Sequence, residues 1–210
     1  MEPLSPNLIY HIYNHGNGDD LLFRDEENYR YFLQQYQKHI PPVADTLAWC
    51  LMPNHFHLLV KIKQLDELNL PGSTSTNLPG FKNLEGLNKN TSKQFSNLFN
   101  GYTKAINKRY SRRGSLFIKN FNRKEITSEI YFQQVIAYIH LNPVKHGFVN
   151  KIKDWPWTSY HDYFTNKKTF IHTNPALKCF GTMQHFMDYH ELIYKEILVK
   201  RSGLESTKNQ

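Results

Sequence analysis

The chain has 210 residues, 40% hydrophobic and 14% aromatic, with 26 Lys and Arg against 18 Asp and Glu, a formal charge of +8. A chain this long and this aromatic can bury a core, which argues against disorder and against reliance on a disulfide scaffold. With only two cysteines, Cys50 and Cys179, a disulfide-rich secreted protein and a four-cysteine zinc module are excluded. No apolar run approaches the roughly 20 residues of a membrane span, and the N-terminus lacks a basic region followed by an apolar stretch. The expectation is a soluble, cytoplasmic protein with no membrane partner.

In chain order, residues 8–13 (LIYHIY) are β-branched and aromatic and stop at His15-Gly16-Asn17-Gly18, a strand running into a turn. Residues 25–39 place Tyr29, Phe32, Leu33 and Tyr36 at spacings of three and four, an amphipathic helix closed by Pro41-Pro42. Residues 46–52 and 56–62 read as a hairpin turning at Pro53-Asn54. Residues 64–90, rich in Gly, Ser, Thr, Asn and Pro, read as an extended or mobile insertion. Residues 91–110 return to helical spacing, with Phe95, Leu98, Phe99, Tyr102, Ala105 and Ile106 on one face and Thr91 or Ser92 as the cap. A turn at Ser111-Arg112-Arg113-Gly114 leads to a strand or short hairpin over 116–126.

Ser128 opens the next helix, running to about Asn142, where Pro143 should kink or end it. Trp155-Pro156-Trp157 marks a packed irregular stretch, and one more helix is expected near 184–200. The order β-α-β-β-α-β-α predicts an α+β fold. Its β-α-β-β-α-β core is ferredoxin-like, or RRM-like, an antiparallel sheet with helices on one face.

The charge is concentrated. Residues 86–124 hold ten Lys and Arg and no Asp or Glu, while the rest of the chain holds 16 basic and 18 acidic residues. Phe95, Phe99, Tyr102, Tyr110, Phe117 and Phe121 interleave that stretch. Such a segment fits phosphate neutralisation and base stacking on a nucleic acid. It also fits a solvated basic helix with a core-facing aromatic stripe.

Two short motifs carry chemistry. In Pro53-Asn54-His55-Phe56-His57, strand alternation puts His55 and His57 on one face, about 7 Å apart, and Phe56 on the other. Two such imidazoles can converge on a metal ion, though a lone His-x-His equally fits two exposed strand histidines. In Tyr138-Ile139-His140-Leu141-Asn142-Pro143, Tyr138 and Asn142 are one helical turn apart on the same face. An amide carbonyl can complete the shell of a hard cation, and a phenol beside it can attack a phosphate. A core-facing Tyr and an Asn ending a helix fit as well. His140 points elsewhere and is not counted as a ligand.

Taken together, MPNHFHLLV, the basic central helix, YIHLNPVKHGFV and DWPWTSY, with YHIYNHGN and LLFRDEENYRYFL before them, resemble the HUH single-tyrosine transposases. The resemblance is closest to the REP-associated tyrosine transposase branch and covers about residues 7–165, with 64–90 a local departure. It implies a transposase domain over 1–165 with Tyr138 on a catalytic helix, and a helical extension over 166–210. It further implies Tyr138 as nucleophile and His55, His57 and Asn142 as ligands of Mg²⁺ or Mn²⁺. Insertion-sequence relatives often carry Gln at the position of Asn142.

The implied reaction cleaves and rejoins single-stranded DNA near hairpin ends through a 5′-phosphotyrosine, with the protein associated with the nucleoid. Lys104, Lys108, Arg109, Arg112, Arg113, Lys119, Arg123 and Lys124 are the expected DNA-binding residues, the last three on the strand before the catalytic helix. The resemblance leaves monomer and homodimer open. Two other functions compete: a metal-dependent nuclease in which water attacks, and a non-catalytic nucleic-acid binder using the sheet. The absence of a clear RRM aromatic motif weighs against the binder.

Overall fold

The computed structural model describes residues 3–64, 84–165, 167 and 169–208, leaving aside the side chains of 84–89 and 203–208. Four strands form the sheet: β1 (Ile9–His15), β2 (Ala44–Met52), β3 (His55–Ile62) and β4 (Asn122–Glu125). Their spatial order is β2-β3-β1-β4, with every neighbouring pair antiparallel. With α1 (Glu26–His39) between β1 and β2, and α2 (Leu84–Arg109) between β3 and β4, this is the split β-α-β arrangement read from the sequence.

Alternation sorts the sheet into two faces. Phe56 points to the side covered by α1 and α2, its ring 5.7 Å from Phe32 and 5.3 Å from Phe99. Asp25 caps α1 by accepting from the Asn28 N–H, as its place ahead of the apolar periodicity requires. The opposite face, bearing His55 and His57, is covered by α3 (Glu129–Lys145), which Ser128 caps through the Tyr131 N–H.

The C-terminal segment forms two helices rather than the one expected: α4 (Thr173–Phe180) and α5 (Met183–Lys208). Gly181, at φ 76°, breaks the chain between them in a conformation that favours glycine. The α4 helix spans only eight residues, too few for periodicity to declare it. Both helices pack beside α3. Among the described residues no helix is long and apolar enough to cross a membrane.

Several boundaries move. The helix expected from Thr91 begins at Leu84, so 84–90 belong to α2 and not to an insertion, and 65–83 lie outside the described residues. Thr91 and Ser92 therefore sit inside the helix and cap nothing; Thr91 is fully buried. The strand expected over 116–126 is reduced to Asn122–Glu125, preceded by a single bridge from Phe117 to Gly16. Pro143 does not stop α3. It falls in the last turn, where only one hydrogen bond is lost, and the end is satisfied from outside: Gly147 adopts φ 76° and Arg201 of α5 donates to the Val144 carbonyl at 3.1 Å.

The tryptophan-rich stretch covers the outer edge of β2, which would otherwise offer unpaired backbone groups. Leu51 donates to the Trp157 carbonyl at 2.9 Å, and the Trp155 indole donates to the Leu51 carbonyl at 3.0 Å.

Candidate active site

Strand register assembles the site. In β3, His55 and His57 lie opposite His15 and Tyr13 of β1. His11, two residues before Tyr13, shares their face, and Lys124 of β4 is its cross-strand partner. The His55 and His57 rings meet edge to face, centroids 5.3 Å apart. Each has one nitrogen engaged: His55 Nδ1 lies 2.7 Å from Asn54 Oδ1, and His57 Nδ1 lies 2.9 Å from His11 Nε2. His15 stacks on His55 at 4.4 Å, and His146 meets His55 edge-on at 5.0 Å.

The α3 helix brings Tyr138 over this group. Its ring centroid is 5.3 Å from His57 and 6.0 Å from His11, and the Lys145 ammonium stands 4.8 Å from the ring centre. An open cleft of about 410 Å³ is bounded by His11, His57, Lys124, Tyr131 and Tyr138. One turn after Tyr138, Asn142 is fully buried beside His55. The structure therefore brings together the four residues singled out in the two motifs. His140 points the other way, into a buried chain with His190 and Ser159, as expected of a non-ligand.

The electrostatics keep the histidines neutral. Burial lowers the His55 pKa to about 4, helped by His15 and His146. The Asn142 side chain, close enough to His55 to act on it as a hydrogen-bond partner, opposes that fall, but neither its Oδ1 nor its Nδ2 meets the strict distance and angle of a hydrogen bond with any protein group. Burial also drives His57 well below the usual histidine range, with His11 adding to the effect. His11 itself falls to about 4, through burial and the Lys124 charge. Neutral imidazole is the form that ligates a metal.

The donor set fits a divalent ion. Two imidazoles retain Nε2, and a buried amide, costly to leave unpaired, stands orphaned next to them. Among the described residues no three His, Cys, Asp or Glu side chains converge as a metal site.

The expected DNA-binding residues separate. Lys104 and Lys108 are exposed on α2, and Arg113 on the following turn. Arg109 is instead paired with Asp25 and Glu27, and Arg112 with Asp20. Lys119 lies in the loop ahead of β4, not on the strand. Arg123 and Lys124 alternate to opposite faces. Arg123 sits against Phe121 at 4.3 Å on the α2 side, whereas Lys124 lies over Tyr131 at 4.8 Å on the Tyr138 side. Sequence reasoning missed His11 and His15. The alternation of β1 marks His11 and His15 as sharing a face, but which face depends on pairing with β3.

A split β-α-β sheet carrying His-x-His beneath a tyrosine-bearing helix is the architecture that the motifs of the HUH single-tyrosine transposases imply. No protein-family model matches the chain. A putative REP-associated tyrosine transposase of Haemophilus influenzae is 28% identical over 139 residues, 63% of this chain and 67% of that protein. A REP-associated tyrosine transposase of Escherichia coli is 43% identical over 30 residues, 14% of this chain and 18% of that one. The solved structure of a REP-associated tyrosine transposase bound to a REP hairpin superposes with a TM-score of 0.52 at 17% identity, over 79% of this chain and 84% of that one; at this identity the likeness is one of fold. The chain is thus similar in sequence to REP-associated tyrosine transposases, and similar in fold to a solved one.

Proposed function

We propose that this protein cleaves and rejoins single-stranded DNA beside hairpin ends, with Tyr138 as the nucleophile. The observation that carries this reading is the Tyr138 ring over His57, one turn from a buried, unpartnered Asn142 amide beside His55. The structural neighbour's hairpin ligand makes hairpin DNA the natural substrate to test.

In the proposed step the Tyr138 oxygen attacks phosphorus and loses its proton, and the bond from phosphorus to the 3′-oxygen breaks. The products are a 5′-phosphotyrosine and a free 3′-hydroxyl. The covalent link retains the phosphodiester energy, so an incoming 3′-hydroxyl can rejoin strands without ATP. A phenol has a pKa near 10 in water. The Lys145 ammonium over the ring favours charge developing on it and on the phosphate. His55, His57 and Asn142 would hold Mg²⁺ or Mn²⁺, which when bound offsets phosphate charge and polarises the P–O bond. Lys124, on the same face, is placed to meet the DNA backbone near the cleft.

The test is incubation with hairpin DNA carrying a single-stranded flank, in Mg²⁺ or in EDTA, followed by denaturing electrophoresis. A protein–DNA adduct in Mg²⁺ is expected, lost in Tyr138→Phe while hairpin binding persists. An undiminished adduct in Tyr138→Phe, or cleavage without any adduct, would refute the nucleophile.

A further inference from the structure

His55 and His57 each commit Nδ1 to a hydrogen bond. At His55 the partner is Asn54 Oδ1, at 2.7 Å. An amide oxygen only accepts, so this ring carries its proton on Nδ1 and keeps its lone pair on Nε2. At His57 the partner is His11 Nε2, at 2.9 Å, and both rings are buried. Two neutral imidazoles share one proton across such a contact, so one donates and the other accepts.

Strand geometry holds the pair. His11 is the cross-strand partner of Leu59 and lies diagonally from His57 on the same face, with ring centroids 5.0 Å apart. Among the described residues nothing else hydrogen-bonds the His11 ring, so its own proton is free to occupy Nδ1. We infer that His11 is a positioning residue: its Nε2 accepts the Nδ1–H of His57, fixing that ring so that Nε2 is presented in the same way as on His55. This rests on the proposed metal site at His55, His57 and Asn142. It goes beyond that site in giving its second histidine a dedicated partner on another strand. Partners of this kind set the tautomer and orientation of a ligating histidine, and losing one typically weakens metal binding 10–100-fold.

The experiment measures Mn²⁺ binding by the full chain without DNA, from the paramagnetic resonance of free Mn²⁺. His11→Phe keeps a ring but removes the acceptor; His11→Gln restores an acceptor through Oε1. His11→Phe is expected to weaken Mn²⁺ binding about 10–100-fold, and His11→Gln to stay within about threefold of the unaltered chain. Both variants should keep the far-UV circular dichroism spectrum of the unaltered chain, which reads folding separately from the site. Mn²⁺ affinity unaltered in His11→Phe, while His57→Ala loses it, would overturn the role of His11 and leave the metal site standing. Equal losses in His11→Phe and His11→Gln would overturn it too, since packing and not an acceptor would then matter. Undiminished Mn²⁺ binding in His57→Ala would instead overturn the metal site itself.

Discussion

At Asn142 a single residue carries a stability cost within the candidate site. Its amide is buried with no partner for either polar atom, a situation worth roughly 1–3 kcal/mol against the fold. Asn142→Leu, close in shape, should therefore raise the urea midpoint, by about 1 kcal/mol in stability, while lowering cleavage. A less stable variant would mean that the amide is satisfied in the free protein. His55→Ala and His57→Ala should abolish Mg²⁺-dependent cleavage of hairpin DNA in the gel assay, and wild-type rates in either would remove that histidine from the site. Phe56, between the two histidines, does different work. It packs at the centre of the opposite layer, so Phe56→Ala should cost about 3–5 kcal/mol in urea denaturation. A loss well below that would mean that the layer closes over the gap.

At the scale of elements, α3 is held from both sides. One side faces the sheet through Tyr138 and Asn142. The other is tied to the C-terminal segment, where His140 Nδ1 meets His190 Nε2 at 3.0 Å and His140 Nε2 meets Ser159 Oγ at 2.9 Å. Ser159 Oγ in turn accepts from the Trp49 N–H at 2.8 Å, joining β2 to the chain. Burial holds His190 at about 4 and His140 well below the usual range. In the unfolded chain such rings titrate near 6.5. Between those values the unfolded chain binds more protons, so stability is full above about pH 6.5 and falls as the pH drops towards about 4. The His190 shift alone implies a loss of roughly 2 kcal/mol by pH 5. Urea unfolding at pH 7 and pH 5 checks this; equal midpoints would contradict it.

For the whole molecule the question is where +8 of charge would meet the proposed DNA substrate. Arg109 and Arg112 are spent on Asp25, Glu27 and Asp20, and link the end of α2 to the first third of the chain. The exposed cations lie on both layers: Lys124 on the Tyr138 face, Lys104 and Lys108 on the α2 side. DNA held by both sets has to pass around the β4 edge of the sheet. Each phosphate contact contributes about 0.7–0.9 log units of affinity per log unit of salt. Neutralising Lys104, Lys108, Arg113, Lys119 and Lys124 together should flatten the salt dependence of hairpin binding by several contacts without moving the cleavage position. An unchanged slope would mean that the basic stretch is a solvated face.

Much of this was legible in the chain itself. Local rules do not depend on distant partners, so Asp25 and Ser128 announced helix starts, and period-two alternation put His55 and His57 on one face with Phe56 opposite. The separated motifs, in order, carried the resemblance to a family. Other features belong to the tertiary structure, because their causes lie far along the chain. Past Pro143, the Val144 carbonyl near the end of α3 gains a donor in Arg201, from another helix. Arg109 and Arg112 lose their freedom to acids more than 80 residues away. His11 joins the site only through the β1–β3 register, which sets its ring 2.9 Å from His57. Strand alternation told which residues share a face; only the packing of α3 on that face decided that it is the one beneath Tyr138.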